Sequence, residues 1–355
     1  MQEKVMIAMS GGVDSSVAAL LLKKQGYDCC GVTMKLFDKE SEELLSCQKA
    51  PNEDRDALGV AEKMGLPFSV CDLSVAFRKD VMAYFVRTYL EGGTPNPCVE
   101  CNRTMKFGLL LDYALASGYE RLATGHYARI RQDAETGRFL LCRAADPSKD
   151  QTYVLWSLTQ KQLSHSLFPL GDLTKQEVRK IAMENGFFNA EKKDSQDICF
   201  VPDGDYAAFI RRFCGEDFPK GNFIDRDGNL LGEHNGIIQY TIGQRKGLGI
   251  AFGKPTYVCS KNATDNTVTL GSNEDLFTSD VLAHSVNLIA VDRISSPMQV
   301  EAKIRYNAPP SPATVEQFDG DSLSIHFDIP QRAACQGQSV VLYDGDMVIG
   351  GGIIQ

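Results

Sequence analysis

Short, wholly apolar runs alternate with longer stretches whose apolar residues recur at helical spacing over roughly the first third of the chain. Val5-Met6-Ile7-Ala8 reads as a buried strand, and the stretch from Ser15 to Lys24 places Val17, Leu20 and Leu21 on one helical face. Cys29-Cys30-Gly31-Val32-Thr33-Met34, Leu66-Pro67-Phe68-Ser69-Val70-Cys71 and Arg121-Leu122-Ala123-Thr124-Gly125 predict further strands. Helices are predicted over about 52–64, 75–90 and 103–116, and the polar, irregular stretch 36–51 predicts a loop. Strands alternating with helices predict an α/β fold: a doubly wound, mostly parallel sheet with helices on both faces. Ligands of such sheets sit beyond the strand carboxyl ends. The segment 10–16, Met34 and Gly125-His126 all fall there.

The pattern then changes. A hairpin is predicted around Glu135-Thr136-Gly137, with helical stretches near 159–166 and 174–185, and Asp203-Gly204-Asp205 caps a helix to about Phe213. Beyond Gly221, short alternating runs separated by Gly, Asn and Asp (237–241, 257–260, 267–270, 300–306, 322–327, 339–343 and 348–354) predict β-rich modules. The segment 271–280 falls between two of them. With 355 residues there is room for more than one core. The expected organisation is an α/β domain over 1–205, a small central β-rich domain over 206–272, and a barrel-like β-domain over 273–355.

Composition narrows the function classes. A net charge of −9 argues against a protein that coats nucleic acid generally, while leaving room for local basic patches. No apolar run approaches the roughly 20 residues of a membrane helix. Met1-Gln2-Glu3-Lys4 leads straight into a strand, unlike a signal peptide. Eleven scattered cysteines do not resemble a disulfide framework and fit a reducing cytoplasm.

Three features carry candidate chemistry. Met9-Ser10-Gly11-Gly12-Val13-Asp14-Ser15-Ser16 is a tight strand-to-helix turn whose amides, helix dipole and hydroxyls (Ser10, Ser15, Ser16) are the parts of a phosphate cradle. It lacks Gly-Lys-Ser/Thr and so is not a Walker A loop. Cys98 and Cys101 form a Cys-x-x-Cys pair. A zinc or iron–sulfur site would need two more soft ligands, and Cys29, Cys30, Cys47 and Cys71 supply no matching pair. The remaining readings are burial and catalysis. Cys101 precedes a predicted helix, where the dipole favours a thiolate. Cys199 lies in a polar loop beside Asp194 and Asp197, whose charges raise a thiol pKa, so activation needs a positive group from elsewhere. For Cys29, Cys30, Cys71, Cys142 and Cys259, strand positions point to burial.

The Ser-Gly-Gly-x-Asp-Ser turn resembles the loop of the ATP pyrophosphatase superfamily. Over nearly its full length the chain is similar to the tRNA 2-thiouridylases of that superfamily. The resemblance rests on 9–16, Thr-Pro-Asn-Pro-Cys-Val-Glu-Cys-Asn at 94–102 and Ala-Thr-Gly-His-Tyr-Ala at 123–128. It continues through Lys-Asp-Gln-Thr-Tyr-Val-Leu at 149–155, Asp-Ser-Gln-Asp-Ile-Cys-Phe at 194–200 and Tyr-Thr-Ile-Gly-Gln-Arg-Lys-Gly-Leu-Gly at 240–249 to Tyr-Asp-Gly-Asp near the C-terminus. That family adenylates the C2 oxygen of the wobble uridine of tRNA and replaces it by sulfur.

The resemblance implies ATP, with Mg2+, held by Ala8, Met9, Ser10, Gly11, Gly12, Val13, Asp14 and Ser15 together with Met34 and Gly125. It implies a persulfide on Cys199, received from a sulfur-donor protein, and release of the sulfur by Cys101 with formation of a Cys101–Cys199 disulfide. It implies tRNA contacts by Asn96, Pro97, Cys98, His126, Lys149, Asp150, Gln151, Arg305, Tyr306 and Gln338, the target base being flipped out of its stack. Some relatives carry Asp where this chain has Cys98, which leaves Cys98 able to form an off-pathway disulfide or to stand in weakly for Cys101. Two other readings stand beside this one. The first is a related enzyme that activates its substrate for amine attack, which needs no cysteine pair. The second is a non-catalytic, ATP-responsive tRNA-binding protein.

Overall fold

The computed structural model describes residues 2–45, 53–192, 197–250 and 253–355. Cys47, Asn52 and the Asp194-Ser195-Gln196 part of the Cys199 motif lie outside them. β1 (Lys4–Ala8) turns into α1 (Val13–Lys24), and β2 (Asp28–Lys35) follows. α2 (Lys39–Leu44) falls where the polar pattern predicts a loop. The reason is local: the Asp38 carboxylate accepts the Ser41 N–H at 2.8 Å and caps a short helix that has no apolar periodicity to betray it. α3 (Glu53–Met64) leads to β3 (Phe68–Asp72). α4 spans 74–90 and α5 spans 97–116, and each contains a stretch bonded i to i+5, Phe77–Met82 and Cys101–Leu110. Then come β4 (Arg121–Ala123), the hairpin β5 (Arg129–Gln132) and β6 (Phe139–Cys142), α6 (Gln160–Ser164), β7 (Ser166–Leu167) and α7 (Lys175–Glu184).

The sheet β3-β2-β1-β4-β7 is parallel throughout. Strand alternation sends Val5 and Ile7 to one face, where they pack with Val17, Val60 and Val178 of α1, α3 and α7. Met6, Val32 and Leu122 face the other way, onto Phe107, Leu110 and Leu111 of α5. Both faces are thus covered, as a continuous apolar run requires.

α8 (Tyr206–Cys214) starts where the sequence places its cap, with Asp205 accepting the Ala208 N–H at 2.9 Å. A small sheet follows, β8 (Gly221–Ile224), β9 (Leu230–His234), β10 (Tyr257–Asn262) and β11 (Thr267–Gly271), in the order β10-β11-β8-β9. The run 237–241, predicted as a strand, instead contains a single 3-10 turn, Ile237–Gln239. Consecutive Ile237 and Ile238 are both buried, which strand alternation does not allow on one core face.

The last region is a closed antiparallel barrel of β12 (Phe277–Leu288), β13 (Met298–Lys303), β14 (Ser311–Gln317), β15 (Leu323–Arg332), β16 (Ser339–Asp344) and β17 (Met347–Ile354), ordered β12-β15-β14-β13-β16-β17 and closed by β12–β17. The barrel is tied to the parallel-sheet region. Met347 of β17 pairs with Cys142 of β6, and the Tyr153 hydroxyl and Trp156 indole N–H donate to Ser339 at 2.7 and 2.9 Å. At Gly351 a Cβ would lie 3.0 Å from the Trp156 ring, so the glycine lets the two regions close on each other. Among the described residues no helix is long and apolar enough to cross a membrane.

Candidate active site

At the end of β1, Gly11 adopts φ +68°, which favours glycine, and the chain turns directly into α1. The turn braces itself. The Ser10 N–H donates to Ser15 Oγ (3.3 Å), and the Ser15 and Ser16 hydroxyls donate to the Gly12 carbonyl (3.1 and 2.9 Å). These two hydroxyls shape the turn, whereas Ser10 is exposed. The N–H groups of Val13, Asp14 and Ser15 open α1, and a first turn offers them no acceptor of its own. N–H groups left open at a helix start are able to receive an anion.

Asp14 also has a bracing role. Its carboxylate accepts from Lys175 Nζ of α7 at 2.8 Å to each oxygen and from the Tyr127 hydroxyl at 2.8 Å. Asn189 Nδ2 donates to the Gly11 carbonyl and to Ser16 Oγ, both at 3.0 Å. A Cβ on Gly125 would lie 2.7 Å from the Ser15 nitrogen, so the exit of β4 packs against the start of α1 with no room for a side chain. Met9 is buried and donates its N–H to Val32, and Met34 pairs with Cys71 at the end of β2. Residues 8–15, Met34 and Gly125 thus share one end of the sheet.

The thiols sit on α5. This helix begins at Pro97, six residues earlier than the apolar pattern indicated. Asn96 is its cap, accepting the Cys98 N–H at 3.2 Å, and Pro97 takes the first helical position. Cys101 therefore lies within the helix and not ahead of it. Burial pushes its thiol up to about 11, with Lys106 pulling the other way and Cys98 and Glu100 adding to the rise. Cys98 is exposed to solvent, yet desolvation on its protein side also raises its thiol, again opposed by Lys106. Lys106 Nζ is 3.4 Å from His126 Nε2, and His126 Nδ1 is 2.7 Å from Thr124 Oγ1. Burial first, then Lys106, holds this imidazole well below its ordinary pKa. One ammonium thus serves both thiols and the histidine.

The barrel supplies the opposite wall. Gln338 Nε2 donates to the Thr94 and Pro95 carbonyls (2.8 and 3.3 Å), and the Thr94 N–H donates to the Gln336 carbonyl (2.7 Å). Tyr306 stands edge-on to Tyr153 with centroids 6.0 Å apart, and Asp150 and Cys98 both act electrostatically on its phenol. Arg305 points its guanidinium at the Ala333 carbonyl (2.6 Å) and Cys335 Sγ (3.1 Å). Asp150 accepts from the Ala144 N–H and the Thr152 hydroxyl, Gln151 exchanges two 2.9 Å bonds with the Tyr127 backbone, and the Lys149 N–H donates to the Asp146 carbonyl. Asn96, Pro97, Cys98, His126, Asp150 and Tyr306 are therefore grouped where α5 meets the barrel. Arg305 and Gln338 spend polar groups on holding that wall in place. Cys199 is exposed, and its neighbours Ile198 and Phe200 pack into the apolar cluster that also receives Cys101. No disulfide is present among the described residues.

Comparison with known proteins decides the family. The chain is 51% identical to a protein of Clostridioides difficile named tRNA-specific 2-thiouridylase MnmA, over all of this chain and 99% of that one. The chain belongs to the tRNA-specific 2-thiouridylase family. Proteins of the same name from Clostridium acetobutylicum and Acetivibrio thermocellus are each 48% identical over the whole chain, covering 100% and 99% of those proteins. Family profiles match at 3–203 (tRNA methyl transferase HUP domain), 207–272 (tRNA methyl transferase PRC-barrel domain) and 278–354 (aminomethyltransferase beta-barrel domain).

Four residues of this 2-thiouridylase site escaped the sequence reading: Lys106, Lys175, Asn189 and Lys261. Lys106 lies five residues after Cys101 on an i-to-i+5 bonded helix, a spacing that ordinary helical periodicity does not bring together. Lys175 and Asn189 reach the phosphate loop from more than 150 residues away. Lys261 of β10 lies 3.4 Å from the Gly93 carbonyl, and burial lowers its pKa to about 8. None has a local motif.

Proposed function

We propose that this protein replaces the C2 oxygen of the wobble uridine of tRNA with sulfur in an ATP-dependent reaction. The observation that carries the reading is the full-length identity of about half with relatives named for that activity. The geometry of the loop and of the thiols supports it. ATP supplies the leaving group: transfer of AMP to the C2 oxygen, with release of diphosphate, turns a poor leaving group into a good one. The open amides of residues 13–15 fit a polyphosphate, and Gly125, packed against the Ser15 nitrogen, sets where that helix start lies. Among the described residues no three His, Cys, Asp or Glu side chains gather as a metal site. Mg2+ would accompany the phosphates of ATP and offset their charge.

Asn96, Pro97 and Cys98 border the flipped base, with His126, Lys149, Asp150, Gln151, Arg305, Tyr306 and Gln338 on the tRNA-facing walls. Tyr306, 39% exposed, offers a ring for stacking. Cys199 receives a terminal sulfur from a donor protein. That sulfur attacks C2 and AMP leaves. The Cys101 thiolate then attacks Sγ of Cys199, the sulfur–sulfur bond breaks, and sulfur stays on the base. The two thiols are oxidised to a Cys101–Cys199 disulfide as the transferred sulfur is reduced, and a dithiol reductant restores them. Such a cycle belongs in a reducing cytoplasm.

The test is mass spectrometry of tRNA after incubation with the purified protein, ATP and a cysteine desulfurase with its cysteine. The expected products are 2-thiouridine, AMP and diphosphate, all three absent without tRNA, and Cys199→Ser yields no thiolated tRNA. Thiolation by Cys199→Ser would remove the persulfide step. Diphosphate release that survives alkylation of every thiol would favour activation for an amine.

A further inference from the structure

Cys98 has a place in the cycle that the steps above leave unused. It precedes Cys101 by three residues on the first turn of α5. There the Cys101 N–H donates to both the Cys98 and the Pro97 carbonyls. That sharing is ordinary at a helix end, and the backbone there is α-helical, with Cys101 at φ −60° and ψ −42°. On an ordinary helix such neighbours have Cβ atoms about 5–6 Å apart, against roughly 3.5–4.5 Å in a disulfide. The remaining gap of about 1–2 Å is closed by distortion of this terminal turn, the part of a helix that frays first. Cys98 is exposed, whereas Cys101 is half-buried against the cluster containing Phe200.

We propose that Cys98 is a second resolving thiol, which attacks Sγ of Cys101 in the Cys101–Cys199 disulfide, expels Cys199, and leaves a Cys98–Cys101 disulfide on α5. The inference rests on the persulfide reading above. One sulfur–sulfur bond breaks and one forms, so there is no net oxidation, and the proton lost by Cys98 ends on Cys199. Direction follows from proximity: Cys98 and Cys101 share one turn of α5, whereas the bond to Cys199 joins α5 to a separate segment of the chain. Lys106 opposes the desolvation of both α5 thiols and so favours the attacking thiolate. Two consequences follow. Cys199 is free of the disulfide and ready for its next sulfur before any reductant arrives. The oxidised pair then includes an exposed sulfur, Cys98, which a dithiol reductant can reach.

The test is disulfide mapping after a single turnover. Full-length protein in excess over tRNA is charged by a cysteine desulfurase and given ATP without reductant, then quenched in acid, alkylated and digested. In the wild type the expected bond is Cys98–Cys101, with Cys199 alkylated. In Cys98→Ser and Cys98→Ala the bond shifts to Cys101–Cys199. A wild type that carries its bond between Cys101 and Cys199, in the same proportion as the variants, overturns the relay and leaves the persulfide reading standing. Thiolated tRNA with no disulfide at Cys101 in any of the three proteins overturns both.

Discussion

The phosphate loop and the thiol-bearing turn occupy neighbouring ends of one structure but are held in opposite ways. The loop at 9–16 is largely self-made: a left-handed glycine, two seryl hydroxyls returned to Gly12 and a helix that starts at once. Remote groups, Lys175 and Asn189, only clamp it from outside. The turn at 93–98 has one local device, the Asn96 cap, and is otherwise held by Gln336 and Gln338 of the barrel and Lys261 of the small sheet. A rigid local loop suits a ligand with fixed geometry, such as a polyphosphate. A turn held by two other regions suits a site that all of them border, because a displacement of either region reaches the thiols through the same bonds.

The contrast breaks first at Asp14. Lys175 has only about a tenth of its side chain exposed, so Asp14→Ala leaves a largely buried ammonium without its carboxylate. The expected loss is about 3 kcal/mol, read by denaturant unfolding. A loss under about 1 kcal/mol would mean that the loop does not depend on its outer clamp. Gly125→Ala, by pushing on the Ser15 nitrogen, displaces the loop without touching the thiols. We expect ATP-dependent diphosphate release to fall about 100-fold, the scale of a 1 Å misplacement, with tRNA binding retained in a filter assay.

The thiol side is probed by pH. Because burial holds the Cys101 thiol at about 11, the protonated form dominates at neutral pH. Its thiolate fraction, and with it the single-turnover sulfur-release rate, should rise about tenfold per unit between roughly pH 7 and 10. A flat profile would show that this attack does not limit release. The smallest effect belongs to the barrel clamp. Gln338→Ala removes two hydrogen bonds to the 94–95 backbone and should cost about 1 kcal/mol of stability. It should weaken tRNA-dependent turnover more than tRNA-independent ATP binding, and equal losses in both would argue against a turn coupled to the barrel.

The parallel sheet, the strand-to-helix turn at 9–16 and the helix capped at Asp205 were legible because each follows from a short-range rule: strand runs of one polarity, helical spacing and a capping side chain. The same rules misplace the start of α5, where Asn96-Pro97 begins a helix before any apolar periodicity appears. They also turn the buried pair Ile237-Ile238 into a strand. Cys101 and Cys199 were named only through resemblance, since nothing in the spacing of two cysteines nearly a hundred residues apart says that Cys101 packs into the same apolar cluster as Ile198 and Phe200, the neighbours of Cys199.

By itself, then, the chain determined the elements and the phosphate turn, whose hydrogen bonds close within a few residues of one another. The tertiary structure decided which groups set the chemistry of the thiols. Burial in the apolar cluster that contains Phe200, the Lys106 ammonium five residues along an i-to-i+5 bonded helix, and the barrel residues that hold Thr94 and Pro95 all act through space. Desolvation and charge depend on what surrounds a group in three dimensions, and local sequence does not specify that.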